Sequence, residues 1–318
     1  MNFSFLFPGQ GSQHVGMGQF LYNQFDIAKK TFDEASESLG IDMTELCFKG
    51  PEEALALTEN TQPALLTVSI ATERVIQQKL NLKPVAAAGH SIGEYAALVS
   101  AGVIDFKEAV KAVRIRGQAM QSAVPVGQGG MLAVLGLENH QVEKMCSVAM
   151  ELSGKGPVSP ANFNSPGQVV ISGSAEAIEW IKTNLKPEMI APDLKKLRLI
   201  PLQVSAPFHC AMMKPAEEKM REILTQMNFK DAQFPIIQNF TAKPVVESAI
   251  LRENLIRQVS APVLWTQCIE TMREMKATTC IELGAGKVLA GLVKKIDSEN
   301  FKVFNVNSLE DLELIGNL

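Results

Sequence analysis

The chain has 318 residues, of which 46% are hydrophobic, and it carries 30 basic and 34 acidic residues for a formal net charge of −4. This length and apolar content support one sizeable core and leave room for a second, smaller domain. The two charge signs are balanced and no basic stripe stands out, so we do not expect nucleic acid as a partner.

The N-terminus and the cysteines both favour a cytoplasmic protein. The opening MNFSFLFPGQG lacks a basic region and its apolar run is short, so we expect no signal peptide. No apolar run approaches membrane-spanning length, so we expect no membrane association. The five cysteines are odd in number and scattered, with no C-x-x-C pair. This pattern fits a reducing compartment and argues against disulfides or a structural zinc site.

Short apolar runs alternate with longer helical patterns in both outer parts of the chain. The helical segment 61–80 has Pro63 near its start, where the missing N–H costs nothing. The alternation predicts a parallel sheet covered by helices on both faces. The runs that predict strands of this sheet are residues 3–7, 85–89, 235–238, 278–283 and 302–306.

The middle of the chain breaks this alternation. It predicts strands at residues 131–135, 158–162, 168–172 and 196–202, with helices at 138–150 and 175–185. The order βαββαβ is that of a ferredoxin-like unit. We therefore predict an α/β fold in which residues 1–127 and 201–318 form a large domain and residues 128–200 form an inserted, ferredoxin-like small domain.

The stretch AAAGHSIGEYAAL, residues 86–98, places Ser91 between two glycines. A strand, then G-x-S-x-G, then a helix is the nucleophile-elbow pattern of hydrolase-like α/β domains. Gly89 and Gly93 lack a Cβ, so the chain can turn sharply and the helix can pack close to the strand. The N–H of Ile92 lies at a helix start, where backbone donors can hold an oxyanion. The alternative to a nucleophilic Ser91 is an ordinary turn flanked by glycines.

A nucleophilic serine needs a general base, and the chain has four histidines. His209 follows a predicted strand and comes after the serine, which is the order found in α/β-hydrolase-like enzymes. His90 is the neighbour of Ser91, and side chains diverge at a sharp turn. His14 lies in a loop, and His140 lies beside charged residues. No acid is visibly paired with His209, so a carbonyl group could orient its ring; a packed histidine near a loop is the alternative.

Arg116 lies on the apolar side of a predicted helix in residues 105–124. This helix opens with Asp105 as a candidate N-cap and Glu108 three residues later. Because a buried charge is costly unless it is paired, Arg116 needs a carboxylate, either from the protein itself or from a substrate. At about 100° per residue, its neighbours on the helix surface are Ala109, Ala112, Met120 and Ala123.

The segment ELGAGKVLAG, residues 282–291, contains G-x-G and a lysine after a predicted strand, which resembles a nucleotide-binding loop. A Walker A loop requires Ser or Thr after the lysine, whereas Val288 follows Lys287. The dinucleotide pattern requires glycine or alanine where the chain has Leu289. We therefore interpret the two glycines as a turn between a strand and a helix.

Several motifs, in order along nearly the whole chain, resemble those of malonyl-CoA:acyl carrier protein transacylases. They are FPGQGSQ, GHSIGEYAAL, RGQAM, ANFNSPGQVVISG, APFHCAMMKPA, APVLWTQCIE and ELGAGKVLAGLVKKI. The resemblance implies a hydrolase-like large domain with a ferredoxin-like insert. It also implies that Ser91 is acylated, that His209 is its base, and that Arg116 grips the free malonyl carboxylate.

The same resemblance implies roles for four further residues. The backbone N–H groups of Gln10 and Ile92 would form the oxyanion hole, and the carbonyl of Gln258 would orient the histidine, which accounts for the missing acid. Phe208 stands just before that histidine. A phenylalanine there would favour malonyl over methylmalonyl groups, because its ring fills the space that a branch methyl needs.

The implied reaction moves the malonyl group from malonyl-CoA to the phosphopantetheine thiol of acyl carrier protein by a ping-pong mechanism, for fatty acid synthesis. No metal or tightly held cofactor is implied, and we expect a monomer. Carrier proteins of this kind are acidic, so a basic patch near the cleft is expected, although for each candidate group we favour simple solvation over a docking role. The candidates are Lys195, Lys196, Arg198, Lys287, Lys294 and Lys295.

Three alternatives stay open at the level of the sequence. A free-standing acyltransferase of a polyketide synthase would use the same chemistry in another pathway. A serine thioesterase or hydrolase would use the same nucleophile and base with water as acceptor, but it would have no use for a buried Arg116. A carrier-binding module without catalysis would have no need to keep Ser91, His209 and Arg116 together.

Overall fold

The computed structural model describes residues 2–202, 204 and 206–317, which form two separate sheets. The strands are β1 (Phe3–Phe7), β2 (Ala86–Gly89), β3 (Gly129–Leu135), β4 (Val158–Ser165), β5 (Gln168–Ser174), β6 (Arg198–Pro201), β7 (Ile236–Ile237), β8 (Pro244–Val245), β9 (Thr279–Glu282) and β10 (Lys302–Asn305). The helices are α1 (Gln19–Gln24), α2 (Asp26–Leu39), α3 (Met43–Phe48), α4 (Glu52–Ala56), α5 (Thr58–Leu80), α6 (Gly93–Ser100), α7 (Phe106–Ser122), α8 (Asn139–Ser153), α9 (Ala175–Asn184), α10 (Lys214–Gln226), α11 (Ser248–Arg257), α12 (Trp265–Glu274), α13 (Val288–Asp297) and α14 (Leu309–Gly316).

The larger sheet has the order β10-β9-β1-β2-β7-β8. Its first five strands are parallel, and only the edge strand β8 pairs in the antiparallel direction. Side chains that alternate along β1 enter two different cores: Phe5 and Phe7 lie in one, and Leu6 lies in the other. Both faces of the sheet are therefore covered, and the predicted parallel sheet is confirmed. The short β8 was not predicted from the sequence.

The smaller sheet has the order β4-β5-β3-β6, and all of its pairs are antiparallel. Helices α8 and α9 contribute buried apolar side chains to the core that this sheet shares with them. This strand order and the βαββαβ sequence are those of a ferredoxin-like unit, as predicted. The strands span residues 129–201, one residue past the boundary expected at 200; the exact domain boundaries stay a prediction.

A short parallel bridge joins β4 of the smaller sheet to the segment that leads into α12. The Phe163 N–H donates to the carbonyl of Val263 at 2.9 Å, and the Val263 N–H donates to the carbonyl of Ala161 at 2.8 Å. The Thr266 hydroxyl donates to the Phe163 carbonyl at 3.0 Å. These bonds fix β4 against the segment that leads into α12. Asn164 of β4 also contacts His90, which directly follows β2, so this part of β4 borders the carboxyl end of the large sheet.

Helix α5 begins earlier than the sequence indicated. It starts at Thr58, so Pro63 is its sixth residue rather than a first-turn residue. The expectation that the missing N–H of Pro63 costs nothing is therefore wrong, because the helix lacks one internal hydrogen bond there. Within the described residues, no helix is long and apolar enough to cross a membrane.

The two glycines of ELGAGKVLAG form a turn from β9 into α13, as the sequence predicted. Both glycines have positive φ, 138° at Gly284 and 79° at Gly286. The carboxylate of Glu282 accepts the first-turn N–H groups of Leu289 at 3.0 Å and Ala290 at 2.9 Å. The backbone donors that a phosphate would use at this helix start are thus taken by a side chain of the protein.

We expect Glu282→Ala to lower the free energy of unfolding by about 2–3 kcal/mol, because it leaves buried N–H groups without acceptors. Glu282 also accepts from Asn305 at 2.8 Å, so the change leaves donors on both α13 and β10 without an acceptor. Denaturant unfolding measures the loss, and Glu299→Ala, which removes an exposed carboxylate just past α13, serves as the control. Equal stability of the two variants would contradict this role for Glu282.

Candidate active site

Ser91 lies at the tip of a sharp turn between β2 and α6. Its backbone φ is 52°, in the left-handed region that non-glycine residues rarely adopt. A Cβ on Gly89 would lie 1.9 Å from the carbonyl carbon of Gly93, and a Cβ on Gly93 would lie 2.1 Å from the carbonyl oxygen of Phe7. Both glycines are therefore required by close packing of the turn, and this packing holds the serine in its strained conformation.

The Asn239 side chain holds this turn through two hydrogen bonds. Its Oδ1 accepts the Ser91 N–H at 2.7 Å, and its Nδ2 donates to the carbonyl of Gly89 at 2.8 Å. No sequence pattern pointed to Asn239. The available signal was its place directly after the predicted strand at 235–238, since β7 pairs with β2 and parallel strands end at the same edge of a sheet.

The His209 ring lies between Ser91 and Gln258. Its Nε2 is 2.8 Å from Ser91 Oγ, and its Nδ1 is 2.9 Å from the backbone carbonyl of Gln258. Because a carbonyl only accepts, Nδ1 carries the proton and Nε2 is free to accept from the serine hydroxyl. Burial, assisted by the charge of Arg116, lowers the pKa of His209 to about 3. The imidazole is therefore neutral at physiological pH, the state that a general base needs.

The other three histidines have different surroundings in the described chain. His90 Nε2 lies 2.8 Å from Asn164 Oδ1, and the His90 ring packs against that of Trp265 with 5.5 Å between centroids. His140 is exposed and lies beside Glu138, and His14 is in the loop after β1. His209 is thus the histidine that meets Ser91 Oγ.

Arg116 is 1% exposed and extends from α7 to the serine. Its guanidinium donates to Gln62 Oε1 at 2.9 Å, to Gln258 Oε1 at 3.0 Å and to Ser91 Oγ at 3.1 Å. All three acceptors are neutral, and burial lowers the pKa of the guanidinium. Its Nε has no hydrogen-bond partner among the described residues.

No carboxylate of the described residues lies within ion-pair distance of Arg116. Of the two partners that the sequence allowed, a structural carboxylate within the protein is therefore not found in that part of the chain. A buried cation that contacts only neutral groups keeps much of its desolvation cost, which a bound anion would reduce.

A cavity of about 110 Å³ opens over Ser91. Six of the seven residues expected at the site line it, whereas Gln258 lies fully buried behind His209. Gln62 and Asn162 also line the cavity and carried no signal in the sequence. The expected residues on the wall are Gln10, Ser91, Ile92, Arg116, Phe208 and His209.

This geometry suits acyl transfer through a serine ester. A hydroxyl next to a neutral imidazole is an activated nucleophile. Ile92 is the N-cap of α6, so its N–H lies at a helix start beside the serine. The buried guanidinium offers a site for an acyl group that carries a carboxylate. No group of three or more His, Cys, Asp or Glu able to hold a metal ion occurs among the residues that the structure describes.

Comparisons with known proteins agree with this chemistry. The family model described as an acyl transferase domain matches residues 4–318. A malonyl CoA-acyl carrier protein transacylase of Bacillus subtilis is 45% identical over 311 residues, which cover 98% of this chain and 95% of that protein.

Two solved structures are similar over the whole chain. An acyl carrier protein S-malonyltransferase from Vibrio cholerae has a TM-score of 0.91 and 45% identity, covering 99% of this chain and 100% of that one. A malonyl-transacylase in complex with a type II PKS acyl-carrier protein has a TM-score of 0.92 and 42% identity, covering 100% and 99%. With matches of this extent and identity, the chain belongs to the malonyl-CoA:acyl carrier protein transacylase family of acyl transferases.

Proposed function

We propose that this protein transfers the malonyl group from malonyl-CoA to the phosphopantetheine thiol of an acyl carrier protein, through a malonyl ester on Ser91. The observation that carries the proposal is the buried Arg116 guanidinium, which lies beside the Ser91–His209 pair and is held only by neutral groups. A general serine hydrolase would lose free energy by burying such a cation. A carboxylate-bearing acyl group would supply its missing partner.

The first half-reaction loads the serine. The malonyl carboxylate binds Arg116, and Ser91 Oγ attacks the thioester carbonyl while its proton passes to His209 Nε2. The backbone N–H groups of Gln10 and Ile92 stabilise the negative charge that forms on the carbonyl oxygen. The C–S bond then breaks, and coenzyme A leaves as the thiol with the proton that His209 returns.

The second half-reaction transfers the malonyl group from Ser91 to the carrier. The phosphopantetheine thiol gives its proton to His209 Nε2 and attacks the ester carbonyl, and the C–O bond to Ser91 breaks. The serine oxygen recovers the proton from His209, so the enzyme returns to its starting state. The chemistry is complete with these groups, and we propose no metal or tightly bound cofactor.

Phe208 provides a basis for selection among carboxylated acyl groups. It is largely buried and lies on the cavity wall directly before His209. A ring at that position occupies volume next to the acyl site, so a methyl branch on the malonyl group would meet it. We propose that Phe208 favours malonyl over methylmalonyl groups for this steric reason.

The carrier partner could belong to either of two pathways. We propose the carrier of fatty acid synthesis, and the second candidate is a polyketide carrier, because one structural relative is described with a type II PKS acyl-carrier protein. We also propose a cytoplasmic location, since the five cysteines are free and buried. The six basic residues named above for docking an acidic carrier are all exposed.

Intact-protein mass measurement after mixing with malonyl-CoA tests the nucleophile. We expect the wild-type protein to gain one malonyl group and Ser91→Ala to gain none. The fold should be preserved, because the hydroxyl lies at the tip of the turn and leaves no buried cavity. Acetyl-CoA serves as the control donor. A Ser91→Ala protein that still gained the malonyl mass would place the nucleophile elsewhere.

The general base is tested by two histidine variants. We expect His209→Ala to slow Ser91 acylation by at least about a hundredfold, the usual range for losing a general base. His90→Ala should slow it less, because His90 faces Asn164 rather than the serine hydroxyl. Rapid-quench measurements of acylation compare the two variants. The reverse order of effects would show that the base is wrongly assigned.

Arg116 is tested by substrate choice. We expect Arg116→Ala to weaken malonyl loading by about 2–5 kcal/mol, the cost of leaving a carboxylate without its partner in a dry pocket. Acetyl loading should suffer less, and Arg116→Lys should restore malonyl loading only in part, because an ammonium lacks the planar fork. The measured quantity is the ratio of malonyl to acetyl loading. An unchanged ratio in a folded Arg116→Ala protein would make the arginine a structural residue.

A further inference from the structure

Glu94 is a fully buried carboxylate next to the elbow that the reaction scheme above does not use. It is the second residue of α6 and has no exposed surface. Its Oε1 accepts Gln238 Nε2 at 3.0 Å, and its Oε2 accepts the Asn239 N–H at 2.7 Å and Gln258 Nε2 at 3.1 Å. Three N–H donors from segments about 145 to 165 residues away thus converge on one side chain.

Two of these donors belong to residues that hold the reacting groups. Asn239 binds the backbone of the Ser91 turn at two points, the Ser91 N–H and the Gly89 carbonyl, through its side chain. Gln258 holds the His209 ring through its carbonyl, accepts from Arg116 through Oε1, and donates through Nε2 to the carbonyl of Ser91 at 3.0 Å. The nucleophile, the base and the cation are therefore each one hydrogen bond away from a residue that Glu94 binds.

Glu94 helps to fix the orientation of the Gln258 side-chain amide, together with the Ser91 carbonyl, which also accepts from Nε2. A carboxylate accepts hydrogen bonds and cannot donate them, so it requires the NH₂ group of Gln258 on its own side. The amide oxygen then points at Arg116, as observed at 3.0 Å. If the amide were rotated, its NH₂ group would face the guanidinium and two sets of donors would oppose each other.

We propose that ionised Glu94 is a positioning residue for the acyl transfer, which sets the orientation of Asn239 and Gln258 and through them the alignment of Ser91, His209 and Arg116. The inference rests on the proposed function of this site. It assigns Glu94 no contact with the reacting atoms.

Protonation of Glu94 would undo this arrangement. It turns one acceptor oxygen into a donor, so at least one of the three N–H groups loses its acceptor. Burial raises the pKa of Glu94 to about 7, against the opposing effect of its hydrogen bonds and of Arg116. For an acid the active, ionised form predominates above the pKa, so activity is complete at higher pH and is lost as the pH falls through this value.

The groups around Glu94 do not titrate in the same range. Arg116 of α7 stays charged, and burial raises the pKa of Tyr95 on α6 and of Cys268 on α12, so both are neutral. His209 has its pKa lowered to about 3, and that of His90 is also lowered by burial. A loss of activity centred near neutral pH therefore points to Glu94 rather than to the catalytic histidine.

The test measures the rate of Ser91 malonylation against pH in the wild type, Glu94→Gln, Glu94→Asp and Glu282→Gln. We expect an acid limb in the wild type with its midpoint near 7. Glu94→Gln should acylate about tenfold to a hundredfold more slowly, as expected for a small misalignment of the reacting groups, and should lack this limb. Glu94→Asp should keep the limb at a reduced rate.

Glu282→Gln is the matched control, because Glu282 is also a buried carboxylate that accepts three N–H groups, but near α13 and away from the serine. It should keep both the wild-type rate and the wild-type limb. An acid limb that persists in Glu94→Gln, or a wild-type rate in that variant, would overturn the proposal.

Gln238→Leu keeps the proposal testable if Glu94→Gln does not fold. This change removes one donor from the carboxylate without touching Ser91, His209 or Arg116. Because a lost hydrogen bond to the ionised form raises an acid's pKa, the limb should move to higher pH. An unmoved limb would also overturn the proposal. Failure of the proposed function would look different, since the wild type would then gain no malonyl mass at any pH.

Discussion

An uncompensated positive charge next to a serine is the constraint on which this site depends. The Arg116 guanidinium is removed from water, yet its observed acceptors are two amide oxygens and a hydroxyl. Neutral acceptors satisfy hydrogen-bonding geometry without cancelling charge, so the free energy of the buried cation is left partly unbalanced. An acyl group that carries a carboxylate would supply the missing negative charge, and this is the physical basis of the substrate selectivity that we propose.

Backbone strain at the site is a second free-energy cost, which the packing around it must offset. Ser91 and His209 both have positive φ, at 52° and 59°. Such conformations persist only where the surroundings leave no alternative. Around Ser91 the restraint is specific: two glycines allow contact between the turn, α6 and the end of β1, and Asn239 ties the turn to the end of β7.

The features that could be predicted from the sequence are those encoded by neighbouring residues. Apolar runs gave the strands of the parallel sheet, the order βαββαβ gave the small domain, and G-x-S-x-G gave the turn at Ser91. Arg116 could be singled out because helical periodicity placed a charge among small apolar side chains. The order of serine and histidine along the chain was enough to favour His209 over His90.

The features that could not be predicted are carried by single polar residues that are distant in sequence. Gln62 and Asn239 belong to segments with no catalytic pattern of their own, and only the pairing of β2 with β7 brings Asn239 to the elbow. Glu94 directly follows the G-x-S-x-G pattern, but nothing in that pattern indicates that its carboxylate binds Asn239 and Gln258. The start of α5 was misjudged for a different reason. A proline five residues after the first residue of a helix costs one hydrogen bond, which the extensive burial of α5 offsets, and no local rule reveals that burial.

The same tertiary contacts explain how two opposite charges can both be buried at this site. Glu94 and Arg116 have opposite signs, but Gln258 lies between them, donating to the carboxylate and accepting from the guanidinium. If the two charges formed a direct ion pair, the guanidinium would be neutralised and a substrate carboxylate would have less to gain from binding it. The intervening Gln258 amide forms a hydrogen bond with each charged group, so the buried Glu94 carboxylate keeps a donor while the Arg116 guanidinium is left without an anionic partner.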